Sequence, residues 1–160
     1  MVNGRLMRSV ALIFLLTSCS FFSSTPQSQS AKDSYTLPSP PKSWKANHTQ
    51  QADYVFYGPK GSSLLIQSFC KEFQSPTLKN LAHGTFNSLD RAKITEQVEF
   101  NLQDRKALRS QGEAFLDGVK IHLTLVNTKR NNCYYDFLEV LPKTKSQSII
   151  DDLLKGITFK

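Results

Sequence analysis

One dipeptide constrains the fold of this chain more than any other feature. Asp117-Gly118 lies between two segments in which apolar and polar residues alternate. A two-residue turn of this composition favours a β-hairpin because both positions accept a positive φ. The register then pairs Leu116 with Val119, and large apolar residues of the second strand lie opposite small residues of the first, which are Ser110, Gly112 and Ala114. The small side chains leave space on this face of the hairpin, which predicts that another element, a helix, packs there.

Apolar periodicity predicts further elements on both sides of the hairpin. Strand-like patterns cover residues 54–57, 63–70, 94–102, 107–116, 119–128 and 133–141. Helical spacing predicts one helix over about 76–90, with Ser75 as its N-cap, and a second over 148–154 that stops at Gly156. This order (β-β-α-β-β-β-β-α) predicts an α+β fold, an antiparallel sheet of about six strands covered by two helices, for which opposite faces of the sheet are one arrangement.

Four short stretches within this order carry a resemblance to a known group. They are Pro41-Lys42-Ser43-Trp44, Asp117-Gly118, Tyr134-Tyr135-Asp136-Phe137 and Gly156-Ile157-Thr158-Phe159. Together with the element order, residues 41–160 resemble the α/β/α sandwich of the PsbP, Mog1 and DcrB group. The resemblance implies a PsbP/Mog1-like fold. It also implies a binding or assembly role, since members of the group are mostly not enzymes, but it assigns no functional residue.

The N-terminal residues are organised like an export signal. Arg5 and Arg8 precede an apolar run over residues 10–16, which is too short to span a bilayer and has the length of a signal-peptide core. The next residues, Leu16-Thr17-Ser18-Cys19, resemble the lipobox of bacterial lipoproteins. This resemblance implies cleavage between Ser18 and Cys19, and attachment of fatty acyl chains, palmitate among them, to Cys19. The alternatives are an ordinary secretory signal with a chance cysteine, or a short membrane anchor.

Lipidation of Cys19 would fix the location and the organisation of the protein. In diderm bacteria the residue after the lipidated cysteine influences sorting. By resemblance, Ser20 favours the inner leaflet of the outer membrane, facing the periplasm. The predicted parts are a lipoprotein signal peptide (1–18), a lipidated Cys with a Ser/Pro-rich tether (19–43) and one α+β domain (44–160). Eight Ser and four Pro among residues 20–43 leave little apolar surface to offset the entropy cost of ordering.

The charge of the chain is only mildly basic once the signal peptide is removed. Loss of Arg5 and Arg8 lowers the formal net charge from +7 to +5. Such a charge fits ordinary solubility, or attraction to an anionic membrane surface or an acidic partner. The export signal disfavours nucleic acid as a partner.

The remaining candidates for a chemically active site are two cysteines and one histidine–glutamate pair. Cys70 and Cys133 form an even pair in an exported chain, which predicts a disulfide, and the alternative is two separate buried thiols. The hairpin register places His122 opposite Glu113, which indicates an exposed cross-strand contact or a proton-active pair. The sequence has no CxxC, nucleophile elbow or phosphate-binding Gly-rich loop, so we expect no metal, no cofactor and no enzymatic activity.

Two functions remain open at this point. The first is a non-enzymatic, membrane-anchored envelope lipoprotein that binds a protein partner or assists assembly on the periplasmic side. The alternative is a tethered carrier of a lipid or another small ligand. For a carrier, we expect a cavity between sheet and helices lined by residues such as Tyr134, Tyr135 and Phe137.

Overall fold

The fold is described from a computed structural model, which describes residues 30–47, 52–70, 76–142 and 148–160. These residues form an α+β fold, which confirms the predicted class. The strands are β1 (Tyr35–Thr36), β2 (Lys45–Asn47), β3 (Tyr54–Tyr57), β4 (Ser63–Cys70), β5 (Asp90–Leu102), β6 (Arg105–Leu116), β7 (Val119–Arg130), β8 (Cys133–Pro142) and β9 (Thr158–Phe159). The helices are α1 (Leu78–Asn87) and α2 (Ile150–Gly156).

The centre of the molecule is an antiparallel sheet with the strand order β2-β3-β4-β8-β7-β6-β5. It contains all six predicted strands and adds the short β2 at one edge. The remaining strands, β1 and β9, form a separate two-stranded sheet, with Tyr35 opposite Phe159. The alternating pattern of the long strands therefore predicted the sheet, whereas the two- and three-residue strands carry no periodic signal.

The two helices lie on opposite faces of the sheet, as the element order suggested. Neighbouring residues of β7 show this, because Leu125 packs in the core on the side of α1 and Val126 in the core on the side of α2. The α1 core contains Ala82, Phe86, Leu108, Ala114, Ile121, Leu123 and Leu125. The α2 core contains residues such as Leu64, Ile66, Phe137, Ile150, Leu153 and Leu154. We refer to these sides as the α1 face and the α2 face.

The central hairpin has the predicted turn and register. Asp117 and Gly118 have φ values of 49° and 78°, and Leu116 pairs with Val119. The gap opposite the large residues is filled by α1, since a Cβ added to Gly112 would lie 2.5 Å from Cε1 of Phe86. The contrast of small and large residues across the hairpin therefore reflects the close approach of this aromatic ring.

Both helices differ from their predicted bounds at the N-terminus. α1 begins at Leu78 because Thr77 is its cap, and the Thr77 hydroxyl accepts a hydrogen bond from the Asn80 amide at 3.1 Å. The expected cap, Ser75, lies outside the described residues. α2 begins at Ile150 and receives its cap from the buried Glu139 of β8. One carboxylate oxygen of Glu139 accepts from the amides of Ile149 and Ile150 at 2.7 and 3.3 Å.

Residues 30–43, which the composition assigned to the tether, belong to the folded domain. Tyr35 is only 1% exposed, and it lies in the α2 core beside Trp44 and Ile157. Pro38 packs against α2, where a Cβ on Gly156 would lie 2.8 Å from Cγ of that proline. The overall Ser and Pro content does not predict these contacts, because burial of a few apolar side chains is enough to anchor an irregular segment.

Candidate functional site

The residues predicted for lipidation and disulfide formation have different outcomes. Ser18 and Cys19 lie outside the described residues, so cleavage and lipidation stay predictions. Cys70 and Cys133 form the predicted disulfide, directly opposite each other at the end of β4 and the start of β8. The bond fastens these two strands at the end of the sheet that also carries the β5–β6 and β7–β8 turns.

The aromatic residues expected to line a ligand cavity are core residues instead. Alternate residues of a strand point to opposite faces, so Tyr134 cannot share a cavity wall with Tyr135 and Phe137. Tyr134 stacks on Phe69, with ring centroids 5.3 Å apart. Tyr135 packs edge-on against Phe159 at 5.0 Å, and Phe137 is fully buried in the α2 core. These contacts remove the structural basis on which a carrier function was considered.

The pair of His122 and Glu113 is an exposed cross-strand contact. Glu113 lies opposite His122 in the register, with 3.8 Å between Oε1 and Nδ1. The other carboxylate oxygen of Glu113 lies 2.7 Å from Nζ of Lys120. Glu113 thus shares its charge with a lysine at the surface. Among the described residues, no group of three or more His, Cys, Asp or Glu side chains is placed to hold a metal ion.

A buried carboxylate, not anticipated from the sequence, binds the N-terminal segment. Asp53 is 7% exposed and accepts hydrogen bonds from the hydroxyls of Tyr35 at 2.8 Å and Ser68 at 2.5 Å. The hydroxyl of Ser30 donates to its other oxygen at 2.5 Å, and Ser68 accepts from the amide of Ala31 at 2.7 Å. We call this set, Ser30, Ala31, Tyr35, Asp53 and Ser68, the N-terminal clasp.

The clasp fixes where the chain enters the domain. Ser68 lies two residues before the disulfide cysteine of β4, so Ser30 is held at that end of the sheet. The next residues confirm the placement, because Ser34 contacts the Tyr135 hydroxyl at 2.7 Å and accepts from the Lys160 amide at 2.8 Å. The segment leading from Cys19 therefore reaches the domain beside the β7–β8 turn.

Among the described residues, Tyr35 and Asp136 have clearly shifted pKa values. Burial raises the pKa of the Tyr35 hydroxyl, and its hydrogen bond to Asp53 adds to the increase. Burial also raises the pKa of Asp136 on the α1 face to about 6, although the hydrogen bond from Asn127 at 2.6 Å acts in the opposite direction. Tyr35 is therefore a permanent donor to the clasp, whereas Asp136 changes charge in a moderately acidic medium.

Basic side chains gather at the end of the sheet where the clasp lies. Four segments meet there, namely residues 30–34, 103–106, 129–132 and 158–160. We call this surface the basic end, and its positive side chains are Lys32, Arg105, Lys106, Lys129, Arg130 and Lys160. A cavity of about 460 Å³ opens between these segments and α1, lined by Pro76, Thr77, Leu78, Arg105, Lys106, Lys129 and Asn131.

A groove lies on the α2 face beside the helix itself. Its volume is about 370 Å³, and it is lined by Glu96, Val98, Phe100, Arg109 and Gln111 of β5 and β6. Val98, one of its apolar residues, is 46% exposed, while the guanidinium of Arg109 pairs with the carboxylate of Asp151 of α2. The lining of the groove thus combines apolar and charged side chains.

The groove runs along a free edge of the sheet. β5 is the last strand in the sheet order, and β6 is its sole strand partner among the described residues. Register shifts interrupt its pairing between Asp90 and Lys93 and between Ile94 and Glu96, but the pairing of residues 97–102 is regular. A regular edge beside a groove is the geometry by which a sheet accepts an added strand from another chain.

A seven-stranded antiparallel sheet with a helix on each face is the PsbP-like fold. Cyanobacterial PsbP (CyanoP) from Synechocystis sp. PCC 6803 matches with a TM-score of 0.62 and 13% identity, over 84% of this chain and 92% of that one. LpqN of Mycobacterium tuberculosis, which is involved in cell envelope biogenesis, matches with a TM-score of 0.59 and 9% identity, over 79% of this chain and 83% of that one. These likenesses show the fold alone.

A third solved structure, from Bacteroides thetaiotaomicron VPI-5482, matches with a TM-score of 0.58 and 12% identity. The match covers 81% of this chain, which spans about half (46%) of the length of that protein. No protein-family model matches the sequence, and no curated protein matches it. Neither helix within the described ranges has the length and apolarity needed to cross a membrane.

Proposed function

We propose that this protein is a non-enzymatic envelope lipoprotein that holds a partner-binding domain at the membrane on the periplasmic side. The lipobox-like sequence ending in Cys19 supports the anchor. The fold shared with LpqN, a protein involved in cell envelope biogenesis, supports the envelope setting. The observation that carries the binding role is the free β5 edge with its adjoining groove.

The groove has the composition of a small protein-binding surface. Val98 and Phe100 supply apolar area, and Glu96 and Arg109 supply charge. An extended peptide that pairs with residues 97–102 would place every second side chain over this groove. The backbone would provide affinity, and the groove would select the side chains of the partner.

Site-specific photocrosslinking tests this surface in the intact, membrane-located protein. A photoreactive residue is placed at Val98 or, as the matched control, at Leu116, which is 55% exposed beside the Asp117-Gly118 turn of the central hairpin; we call this end of the hairpin the distal hairpin. We expect discrete crosslinked products in the envelope from position 98 and none from position 116. Val98→Glu in a chain with the photoreactive group at Glu96, which lines the same groove, should abolish the products that this group gives with Val98 in place. The same products from both positions, or none from position 98, would contradict the binding role of the groove.

The anchor is tested separately by two substitutions near the predicted cleavage site. Cys19→Ala should abolish incorporation of labelled palmitate and release the protein from the membrane fraction. Ser20→Asp should leave labelling intact but move the protein from the outer to the inner membrane. Unchanged palmitate labelling of the Cys19→Ala protein would refute lipidation, and an unchanged distribution of the Ser20→Asp protein would refute the proposed sorting.

A further inference from the structure

We propose that the basic end docks on the anionic phospholipid headgroups of the membrane that holds the anchor. This inference rests on the proposed lipidation of Cys19, and it gives the domain a defined orientation. The hairpin at Asp117-Gly118 then points away from the lipid, and the edge of β5 runs outward from the basic end toward the periplasm. Three observations support the inference, namely the route of the chain, the distribution of charge and the shape of the basic end.

The route of the chain brings the basic end closest to the membrane. The clasp holds Ser30 at the basic end, and Ser30 follows Cys19 by only eleven residues. A connection of that length spans at most about 40 Å. The Asp117-Gly118 hairpin lies at the other end of the twelve-residue strand β6, about 40 Å farther along the sheet. Of the two ends of the sheet, the basic end is therefore the one held next to the lipid.

The distribution of charge matches an anionic surface. The four segments of the basic end contain six Lys or Arg residues and two acidic residues, Asp33 and Asp104, a formal net charge of +4. The whole chain without residues 1–18 has a formal net charge of +5. Most of the excess positive charge thus lies on the end that the anchor approaches, where attraction to anionic lipids is strongest.

The shape of the basic end suits phosphate groups. Lys106 and Lys129 lie on neighbouring strands, next to the paired residues Ala107 and Thr128, and both line the cavity of about 460 Å³ with Arg105. The backbone beneath them is fixed, since the Thr128 hydroxyl donates to the Lys106 carbonyl at 3.0 Å. The ammonium groups of Lys106 and Lys129 can give a headgroup phosphate at this cavity charge-assisted hydrogen bonds from two strands, while the guanidinium of Arg105 lies over the ring of Phe159 on the other face of the sheet.

Amide hydrogen exchange on vesicles tests the orientation of the full-length protein, purified with its native N-terminus. The protein is mixed with vesicles of phosphatidylcholine alone or with a third of phosphatidylglycerol, and flotation is recorded together with exchange. We expect flotation with both, because the anchor does not depend on headgroup charge. Exchange in the turns of the basic end should be at least about threefold slower on the anionic vesicles, and exchange in the distal hairpin should be unchanged. Raised salt should remove the difference.

A pair of charge-matched variants isolates the contribution of the basic end. Each basic residue near an anionic surface strengthens association about fivefold, so Lys106→Gln with Lys129→Gln should abolish the slowing of exchange. Lys45→Gln with Lys93→Gln removes the same charge from exposed positions at the opposite end of the sheet, and this variant should retain the slowing of exchange. Equal slowing in both double variants would overturn the proposal.

The outcomes separate docking from anchoring. Flotation with equal exchange on both vesicle types would overturn docking, leave the anchor standing, and point to an acidic protein as the partner of the basic end. Flotation with anionic vesicles alone would support docking and refute the anchor. No flotation with either would refute both.

Discussion

Replacement of Asp136 with asparagine should stabilise the protein at neutral pH and leave it unchanged in acid. Asp136 lies in β8 between Gln67 of β4 and Asn127 of β7. Burial raises its pKa from 3.8 to about 6, against the effect of the hydrogen bond from Nδ2 of Asn127. Oδ1 of Asn127 is buried and has no hydrogen-bond partner within the described part of the chain.

The raised pKa sets the size and sign of the effect. A difference of about two pKa units corresponds to about 3 kcal/mol, which is the cost of ionising Asp136 in the folded protein relative to the unfolded chain. Between about pH 4 and pH 6 the folded state binds more protons than the unfolded state, so this group lowers stability as the pH rises. The penalty is complete above about pH 6 and absent below about pH 4.

An asparagine at position 136 keeps the shape and removes the charge. Its amide oxygen can accept from Asn127, and its amide nitrogen can donate to the Asn127 oxygen that lacks a partner. We therefore expect the Asp136→Asn protein to be about 1–3 kcal/mol more stable than the wild type at pH 7.5, and equally stable at pH 4.

Urea unfolding of both proteins from pH 4 to pH 8 measures this difference. Subtracting the two curves of unfolding free energy against pH cancels the contributions of the other carboxylates, which both proteins share. Asp152→Asn is the control, because Asp152 is exposed and pairs with Lys155 one helical turn away, so removal of its charge should change stability by less than about 0.5 kcal/mol at every pH. A gain for Asp136→Asn that is independent of pH, or a loss of stability at pH 7.5, would refute the reasoning.

Four further changes test the packing described above. Reducing the Cys70–Cys133 bond, which closes a loop of 63 residues, should lower the free energy of unfolding by about 4 kcal/mol in a denaturant titration. Asp53→Ala should cost about 1–3 kcal/mol and accelerate amide exchange in the N-terminal segment, and unchanged exchange there would contradict the clasp. Gly112→Ala should cost about 1–3 kcal/mol because the methyl group meets the backbone carbonyl of Lys93 in β5 as well as the ring of Phe86, whereas Gly84→Ala, with open space around it, should raise the melting temperature.

The sheet could be predicted from the sequence because its long strands repeat a local pattern. Apolar residues alternate with a period of two along β6 and β7, and Asp117-Gly118 fixes their register. The residue sizes even indicated the helix, since Gly112 leaves room for Phe86. Each of these signals lies within a single hairpin, so no knowledge of distant contacts was needed.

The clasp and the capping of α2 could not be predicted, because each depends on residues that meet only in the folded protein. Asp53 bonds a tyrosine 18 residues before it and a serine 15 residues after it. Glu139 caps α2 from the middle of a strand, ten residues before Ile149. Neither carboxylate lies at a local spacing that distinguishes it from an ordinary surface residue. The same limit applies to Tyr35, whose burial depends on pairing with the distant β9.

The clasp also determines how mechanical load enters the domain. A pull on an anchor at Cys19 would act first on the clasp, where Asp53 holds Ser30 and Ser68 of β4 holds Ala31. The next contacts along the chain are the two residue pairs of β1 and β9, which would break one after the other. The disulfide between Cys70 and Cys133 lies behind them and cannot be extended. Tension would therefore first release up to about fifteen residues of slack at the N-terminus, while the sheet and its groove stayed intact.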